Sequence, residues 1–415
     1  MTLISIICIA ILVTTFIFGL IKNELMSPAR LYIFVWTTAI GLADLKLSRL
    51  QNEWSNFGWI VLMVGVLPFL LGNFIVYVLN FDRGKKSITQ IRNSILIEKI
   101  NEKLLYNIIL IMFCAYLASY FLEYLIEGYV PLFSPQPDLA RRDFGVFGLH
   151  LIVNSVISII FLSVEYIILV KQKFANKLVL SIISVLAFIT FSFLLYRYIF
   201  MILILMIIPL VYFTKGIKPK FFLGIFVFIG LFVWGIKSIR VGQLAELYFF
   251  LAAKIKIPYK YAFLSEPYMY ITMNLENFVA NFEKTTFHTY GIFSADFFLA
   301  LIGAKHWLME YYNVAKFPHY IDGYNTFPYF WAYFYDFGFF GLAIIPFFIG
   351  IFASIIYNHI KMNPNLRNLI YYCALVSVIL ISYTSDPLTR LDIVSNYFII
   401  ITAQYFVIEN NVLKK

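Results

Sequence analysis

The chain has 415 residues, of which 62% are hydrophobic, 20% aromatic and only 13% charged, and its formal net charge is +10. Soluble globular proteins carry roughly 25% charged residues, so this composition excludes a protein that meets water on every side. The long apolar runs predict an all-α polytopic membrane protein, whereas a β-barrel would show short alternating segments. Most basic residues lie in loops beside these runs, where they set topology, so the charge does not indicate nucleic-acid binding.

The apolar runs predict eleven transmembrane helices. In chain order they cover about residues 2–21, 30–43, 57–80, 104–126, 149–170, 178–195, 198–213, 221–238, 338–358, 368–385 and 392–409. No basic residue precedes the first run, so we interpret it as a retained span and not as a cleaved signal peptide. We therefore divide the chain into eight spans with short loops (1–238), one large loop (239–325) and three further spans (326–415).

The distribution of basic residues predicts the orientation of these spans. With the N-terminus outside, 18 lysines and arginines lie in inside segments and six lie in short outside segments. Cytoplasmic loops carry the excess of lysine and arginine in membrane proteins. The N-terminus is therefore expected outside, the C-terminus inside and the large loop outside.

The large loop is itself apolar enough to form helices. QLAELYFFLAAKI (243–255) and PYMYITMNLENFVANF (267–282) have helical apolar spacing, and Ser265 with Pro267 is typical of a helix start. These helices would either cap the bundle or form a lid over an outward-facing cavity.

Arginines on the outer side are the first candidate site residues, because the charge rule disfavours them there. They are Arg141, Arg142, Arg197, Arg240 and Arg390. Any one of them could extend to lipid headgroups. Several from separate loops could instead converge on one anionic group, since guanidinium binds phosphate bidentately.

The segment 324–352 leads into a late span and is rich in aromatic residues, which are typical of an interfacial belt. Asn325 and Asp336 lie within it. A buried carboxylate needs a partner, so Asp336 predicts an arginine pair or a functional site.

Other chemistries find little support in the sequence. His288, His306 and His319 lie in the large loop at spacings without a metal signature. No glycine-rich nucleotide-binding pattern occurs. The three cysteines lie inside apolar runs, so we expect no cofactor, metal site or disulfide.

GYVPLFS…DLARRDFGVFGLH, PYMYITMNLENF and NTFPYFWAYFYDFGFFGLAIIPFFIG follow one another in this order along the chain. Together they resemble segments of the Wzy-type polymerases of bacterial O-antigen and capsule repeat units. GYVPLFS…DLARRDFGVFGLH (128–150) resembles a G-x-P-L-F … R-x-x-F-G … G-L loop. PYMYITMNLENF (267–278) resembles a Y-x-x-x-N segment of the large external loop. NTFPYFWAYFYDFGFFGLAIIPFFIG (325–350) resembles an N-x-x-x … Y-x-D-F-G-x-x-G entry to a late span. The resemblance extends to the plan of about eleven spans with one large late loop.

The resemblance implies a GT-C-like bundle and a glycosyltransferase that needs neither metal nor nucleotide. Its donor and acceptor would be undecaprenyl-diphosphate-linked oligosaccharides at the outer face of the bacterial cytoplasmic membrane. A flippase and a chain-length regulator would be its partners. Arg240 to Leu244 is also similar to the R-x-x-x-L pattern of the related O-antigen ligases.

On this basis we expect a cationic group that binds the donor diphosphate and stabilises the charge on the leaving group. Its expected members are Arg141 or Arg142 with Arg197 and Arg240, and the further substrate-binding candidates are Arg390 and Asn325.

The reaction also needs a base for the acceptor hydroxyl. The candidates, in falling order of preference, are Asp336, His319 and Glu276. A ligase, which transfers finished polymer to another acceptor, and a lipid-linked oligosaccharide flippase stay open as alternatives. The flippase is disfavoured because its charges belong in a central cavity, whereas these spans carry few.

Overall fold

The computed structural model describes most of the chain, namely residues 2–81, 83–171, 173–216, 245–282, 284–285, 287–311, 313, 321 and 323–408. The predicted span at 221–238, Arg240 and His319 lie outside the described residues. The chain forms two compact units that interleave in sequence. The first comprises Met1–Gly84, Leu244–Asn358 and Val378–Leu391, and the second comprises Lys85–Gln243, His359–Ser377 and Asp392–Lys415.

Every regular element among the described residues is a helix, accompanied only by isolated β-bridges. In chain order the α-helices are α1 Leu3–Ile21, α2 Pro28–Asp44, α3 Asn56–Leu79, α4 Ile88–Ile97, α5 Glu102–Glu127, α6 Pro137–Asp143, α7 Leu149–Val153, α8 Val156–Leu169, α9 Phe174–Ser192, α10 Arg197–Thr214, α11 Ala245–Ala252, α12 Ser265–Phe282, α13 Asp296–Leu301, α14 Lys305–Tyr311, α15 Trp331–Met362, α16 Leu366–Ile381 and α17 Leu391–Val407. Short 3₁₀ turns occur at Pro131–Phe133, Tyr259–Leu264 and Pro387–Thr389.

Seven of the described helices are long and apolar enough to cross a membrane: α1, α3, α5, α7 with α8, α9, α10 and α15. The helices α16 and α17 are apolar but shorter. The described residues thus confirm the all-helical prediction and are consistent with a membrane protein, since helices satisfy their own backbone hydrogen bonds inside a bilayer. The predicted division of the apolar block 178–213 into two spans is also confirmed, since Leu195, with a φ of 61°, lies in the turn between α9 and α10.

Both helices predicted in the large loop are confirmed. The helix α11 lies within 243–255, and α12 begins at Ser265. The second of these packs against α2 and α3 in the first unit. Asn277 of α12 donates from Nδ2 to the carbonyls of Tyr324 and Thr326 at 2.9 and 3.0 Å, and its Oδ1 accepts from Ile321 N at 2.9 Å. One asparagine thus satisfies three backbone groups of the segment that leads into α15.

The first unit depends on a close approach of α3 and α15 at glycines. A Cβ on Gly72 would overlap the Phe347 carbonyl, and a Cβ on Gly350 would overlap the Phe69 carbonyl. Small residues allow helix backbones to approach each other in membranes, where dispersion contacts replace the hydrophobic effect between helices. These two glycines therefore set the α3–α15 separation.

In the second unit, α8 is the most enclosed span and packs against α5, α9 and α10. It is also joined to α17 through Ser158, whose Oγ donates to Asn396 Oδ1 at 2.6 Å. Polar side chains that pair inside a bundle hold adjacent spans in one register.

We expect Gly350→Ala to destabilise the protein by about 1–3 kcal/mol, because the added methyl overpacks the α3–α15 contact. The thermal midpoint of purified protein in detergent would measure this. Gly84→Ala is the matched control, since a Cβ there meets no atom within 4 Å. Equal midpoints for the two variants would contradict the role of Gly350.

Candidate functional site

Residues 128–148 connect α5 to α7 in the second unit, and a short helix in this connection carries the arginine pair Arg141 and Arg142. The span α5 ends at Gly128, whose φ of 76° is the left-handed conformation that glycine adopts without strain. After the turn at Pro131–Phe133, Pro137 begins α6, and Arg141 and Arg142 lie in the last turn of that helix. Cationic side chains are favoured at the negative end of a helix.

The two arginines differ in how firmly they are held. Both contact Asp138, with N–O distances of 3.3 Å for Arg141 and 2.9 Å for Arg142. The Arg141 guanidinium also lies 5.9 Å from the ring centroid of Tyr196, whose hydroxyl donates to the Arg141 carbonyl at 2.9 Å. The side chain of Arg142 is 62% exposed. Arg141 is therefore fixed by its neighbours, while Arg142 is accessible to an anionic group in solution.

The same connection positions a carboxylate–imidazole pair. Glu123 of α5 is fully buried, and its Oε1 accepts from Val146 N at 3.2 Å and lies 3.1 Å from His150 Nδ1. Gly145 makes this approach possible, because a Cβ at that residue would lie 2.9 Å from the His150 ring. Its φ of 135° is likewise typical of glycine. The sequence FGVFGLH thus brings a histidine onto the buried carboxylate.

This pair has the arrangement of a general base. With Nδ1–H donated to Glu123, the neutral ring carries its lone pair on Nε2. The His150 side chain is 22% exposed, so it is not enclosed as Glu123 is. Its centroid lies 5.8 Å from that of Tyr196, the ring that also contacts Arg141. A proton acceptor and a cation therefore flank one tyrosine.

The remaining predicted arginines are divided between the units. Arg197 is the first residue of α10, directly after Tyr196, and is half-buried. It therefore shares the second unit with Arg141 and Arg142. Arg390, also half-buried, follows the Pro387–Thr389 turn in the first unit.

Asp336, the preferred base in the sequence analysis, lies fully buried in the first unit and is surrounded by donors. Its Oδ1 accepts from Thr289 Oγ1 at 2.5 Å and from Phe293 N at 3.2 Å, and its Oδ2 accepts from Ser294 N at 2.6 Å. The Ser294 hydroxyl also donates to Oδ2. Two residues later Gly338, at φ 61° and ψ −145°, breaks the helical run of α15. Asp336 thus holds the 289–294 segment against this kink.

Glu276, another predicted base, is occupied by an ion pair. Its Oε1 lies 2.5 Å from Lys46 Nζ, and the exposed fraction of Glu276 is 3%. Lys46 also lies 4.0 Å from the centroid of Trp54. Burial lowers the pKa of Lys46, and the neighbouring Glu276 carboxylate opposes that change. The pair joins α12 to the 45–54 segment. Asn325 is exposed at the entry to α15, and no described contact fixes its side chain.

Three residues of chemical interest were not predicted from the sequence. Glu123 and His150 are 27 positions apart, so no local pattern links them, although His150 ends the RRDFGVFGLH motif. Asp386 lies in SDPLTRLD, a segment in which only Arg390 was predicted. It is 8% exposed, and Tyr333 Oη donates to its Oδ2 at 2.5 Å. A carboxylate before proline, between two apolar runs, is the signal that could have found it.

Comparisons with known proteins give no relative, since no family model, curated protein or solved structure matches this chain. Among the described residues, no three His, Cys, Asp or Glu side chains are grouped so as to hold a metal ion. The chemistry of the chain must therefore be inferred from the residues themselves.

Burial raises the pKa of Asp386 from 3.8 to about 6, and the Tyr333 hydrogen bond moderates that rise. The folded state therefore binds this proton more tightly than the unfolded state. The resulting stabilisation is complete below about pH 4 and is lost as the pH rises through about 6. Over this range the free energy of unfolding falls by about 3 kcal/mol.

We expect Asp386→Asn to abolish this loss of stability between about pH 4 and 6. Tyr333→Phe should move the loss to higher pH, because the tyrosine hydrogen bond lowers the pKa of Asp386. Thermal midpoints in detergent, measured across this range, would show both effects. An identical pH profile for wild type and Asp386→Asn would rule out this carboxyl as the titrating group.

Proposed function

We propose that the protein is a glycosyltransferase that polymerises polysaccharide repeat units at the outer face of the bacterial cytoplasmic membrane. It transfers a growing undecaprenyl-diphosphate-linked glycan onto another lipid-linked repeat unit. In the cell, a flippase would supply the unit and a chain-length regulator would be a further partner, although the transfer itself needs neither.

The observation that carries this proposal is the grouping of Glu123, His150, Arg141 and Arg142 in and beside the 128–148 connection. It combines a base that a carboxylate orients, at 3.1 Å, with an arginine pair of which one member is 62% exposed. Glycosyl transfer from a lipid diphosphate needs these two elements, a proton acceptor for the hydroxyl and a cationic partner for the leaving group.

The reaction follows from this arrangement. The acceptor hydroxyl attacks the anomeric carbon of the donor, and His150 Nε2 takes the hydroxyl proton. The bond between the anomeric carbon and the diphosphate oxygen breaks, and the electron pair leaves with undecaprenyl diphosphate. Arg142 binds the diphosphate and stabilises the negative charge that develops on that oxygen, and the neighbouring Arg141 adds a second positive charge. Glu123 positions the imidazole and stabilises its protonated form.

We assign the base to His150 instead of Asp336 or Glu276 because of their hydrogen bonds. The Asp336 oxygens accept from two hydroxyls and two backbone amides, and Glu276 is paired with Lys46. A carboxylate whose lone pairs are occupied is a poor proton acceptor, since accepting the proton breaks existing charge-assisted hydrogen bonds.

Reconstitution tests the activity. Purified protein in liposomes would receive lipid-linked repeat units without nucleotide, and the products would be separated by size. A ladder with regular steps is expected. Transfer only to an added non-identical acceptor would favour the ligase, and movement of the lipid across the bilayer without elongation would favour the flippase.

We expect His150→Gln to reduce the elongation rate by about 10²–10⁴-fold, the usual contribution of a general base. Glu123→Gln should lower kcat less and leave KM for the lipid-linked donor nearly unchanged, because Glu123 acts through the imidazole. His306→Gln is the matched control, since His306 is exposed on α14. Normal elongation by folded His150→Gln protein would exclude this base.

Arg142→Ala should raise KM for the donor by about 10–100-fold, the effect of losing a hydrogen bond to a charged group. Arg142→Lys should recover only part of the affinity, because an ammonium group cannot bind phosphate bidentately. Arg83→Ala provides an exposed arginine control. The test compares donor concentration curves for the four proteins, and an unchanged KM in Arg142→Ala would remove Arg142 from the diphosphate site.

A further inference from the structure

A line of buried polar side chains joins α8 and α17 inside the second unit. On α8 it includes Ser158 and Glu165, and on α17 it includes Asn396 and Gln404. All four side chains have an exposed fraction of 0%. The two helices are therefore joined by polar contacts at two levels of the apolar interior, one near Asn396 and one near Gln404.

The first level is a closed network. Asn396 Oδ1 accepts from Ser158 N at 3.0 Å and from Ser158 Oγ at 2.6 Å. Its Nδ2 donates to the carbonyls of Asn154 and Asp392 at 2.9 and 2.7 Å. Both ends of the amide are thus satisfied within the protein, and this level has a purely structural explanation.

The second level is not closed. Gln404 Nε2 donates to Glu165 Oε2 at 2.7 Å. Glu165 Oε1 and Gln404 Oε1 are buried and have no hydrogen-bond partner among the described residues. Within the part of the chain that the structure describes, the two side chains therefore present acceptor oxygens that a donor or a cation would satisfy.

The location makes this deficiency costly. Glu165 lies in the span Leu149–Leu169, four residues before its end. Ionised side chains buried within a span are expensive unless they are paired, and they commonly mark proton or ion pathways. Within the described residues no lysine or arginine forms an ion pair with Glu165. Among those residues, the nearby titratable groups include the buried Cys373 thiol of α16 and the Tyr166 phenol, which packs against Tyr106 of α5.

We propose that Glu165 and Gln404 form an intramembrane site for a small monovalent cation, either a proton or a sodium ion. Either ligand would neutralise the Glu165 carboxylate, and the carboxylate and amide oxygens are hard donors that suit both. The site lies on the α8–α17 contact, so its occupancy stabilises the packing of two spans. Its described groups all lie on these two helices, and the site is independent of the glycosyltransferase proposal.

The test uses the full chain in lipid nanodiscs, with infrared difference spectroscopy and thermal unfolding as readouts. Glu165→Gln, which mimics the neutral acid without an exchangeable proton, is compared with Glu102→Gln. Glu102 pairs with Lys173 at the surface and is the matched carboxylate control. Both spectra and midpoints would be recorded over a pH series, with sodium and with a bulky organic cation in its place.

A proton site predicts a carboxylic-acid carbonyl band that titrates with pH, is insensitive to sodium and is absent in Glu165→Gln alone. A sodium site predicts that sodium removes this band and raises the thermal midpoint of the wild type and Glu102→Gln, but not of Glu165→Gln. Gln404→Leu should lower the affinity of the site for either cation by about tenfold, because one polar contact is lost.

Two results would overturn the proposal. One is a Glu165 band that neither titrates nor responds to sodium, which would make Glu165 a permanently protonated structural acid. The other is identical behaviour of Glu165→Gln and the wild type in both readouts. The midpoint of Glu165→Gln at low pH, where both proteins are neutral at this residue, checks that the variant is folded.

Discussion

The requirement that buried polar groups find their partners inside the protein is the constraint on which this structure depends. In an apolar bilayer, water cannot satisfy an amide, hydroxyl or carboxylate, and each unpaired group costs free energy. The backbone of the described spans meets this requirement by forming helices. Some side chains meet it within their own helix, as Ser163 does with the Ile159 carbonyl, and others join two segments that are far apart in sequence. Asn277, Asn396 and Asp336 each connect a helix to a remote loop or span in this way.

The buried carboxylates differ in how completely their oxygens are paired. Asp336 accepts from four donors and Glu276 pairs with a lysine, so both are committed to structure. Glu123 accepts from one amide and lies beside one imidazole, and the side chain that carries this imidazole is 22% exposed. Glu165 keeps one oxygen without a partner among the described residues. The number and kind of donors around each carboxylate thus show which carboxylates are fully paired, and sequence position does not.

Glycines complete the arrangement at the places where backbones or rings must approach closely. Gly72 and Gly350 let α3 and α15 meet at their backbones, and Gly145 lets the His150 ring lie against its own chain. Gly338 adopts a positive φ where α15 breaks, two residues after Asp336. In each case an added methyl group would displace a packing contact. Gly145 therefore belongs to the geometry of the candidate site in the second unit, whereas Gly338 belongs to the helix break beside the structural Asp336 in the first unit.

The sequence by itself determined the class of the protein and most of its helices. Apolar length predicts spans because a helix must cover the bilayer core, and this rule located α9 and α10. Helical apolar spacing located α11 and α12. It likewise selected the 128–148 connection, with Arg141 and Arg142, as chemically unusual. Local pattern carries this information because hydropathy and helix signals act over a few turns.

Only the tertiary structure decided which polar residues are paired. Sequence ranked Asp336 first as a base, yet its oxygens are occupied by donors from residues more than 40 positions away. It did not select Glu123 with His150, or Glu165 with Gln404, because the members of each pair are 27 and 239 residues apart. Whether a buried carboxylate is satisfied depends on donors that packing brings to it, and no periodicity in the chain records that packing.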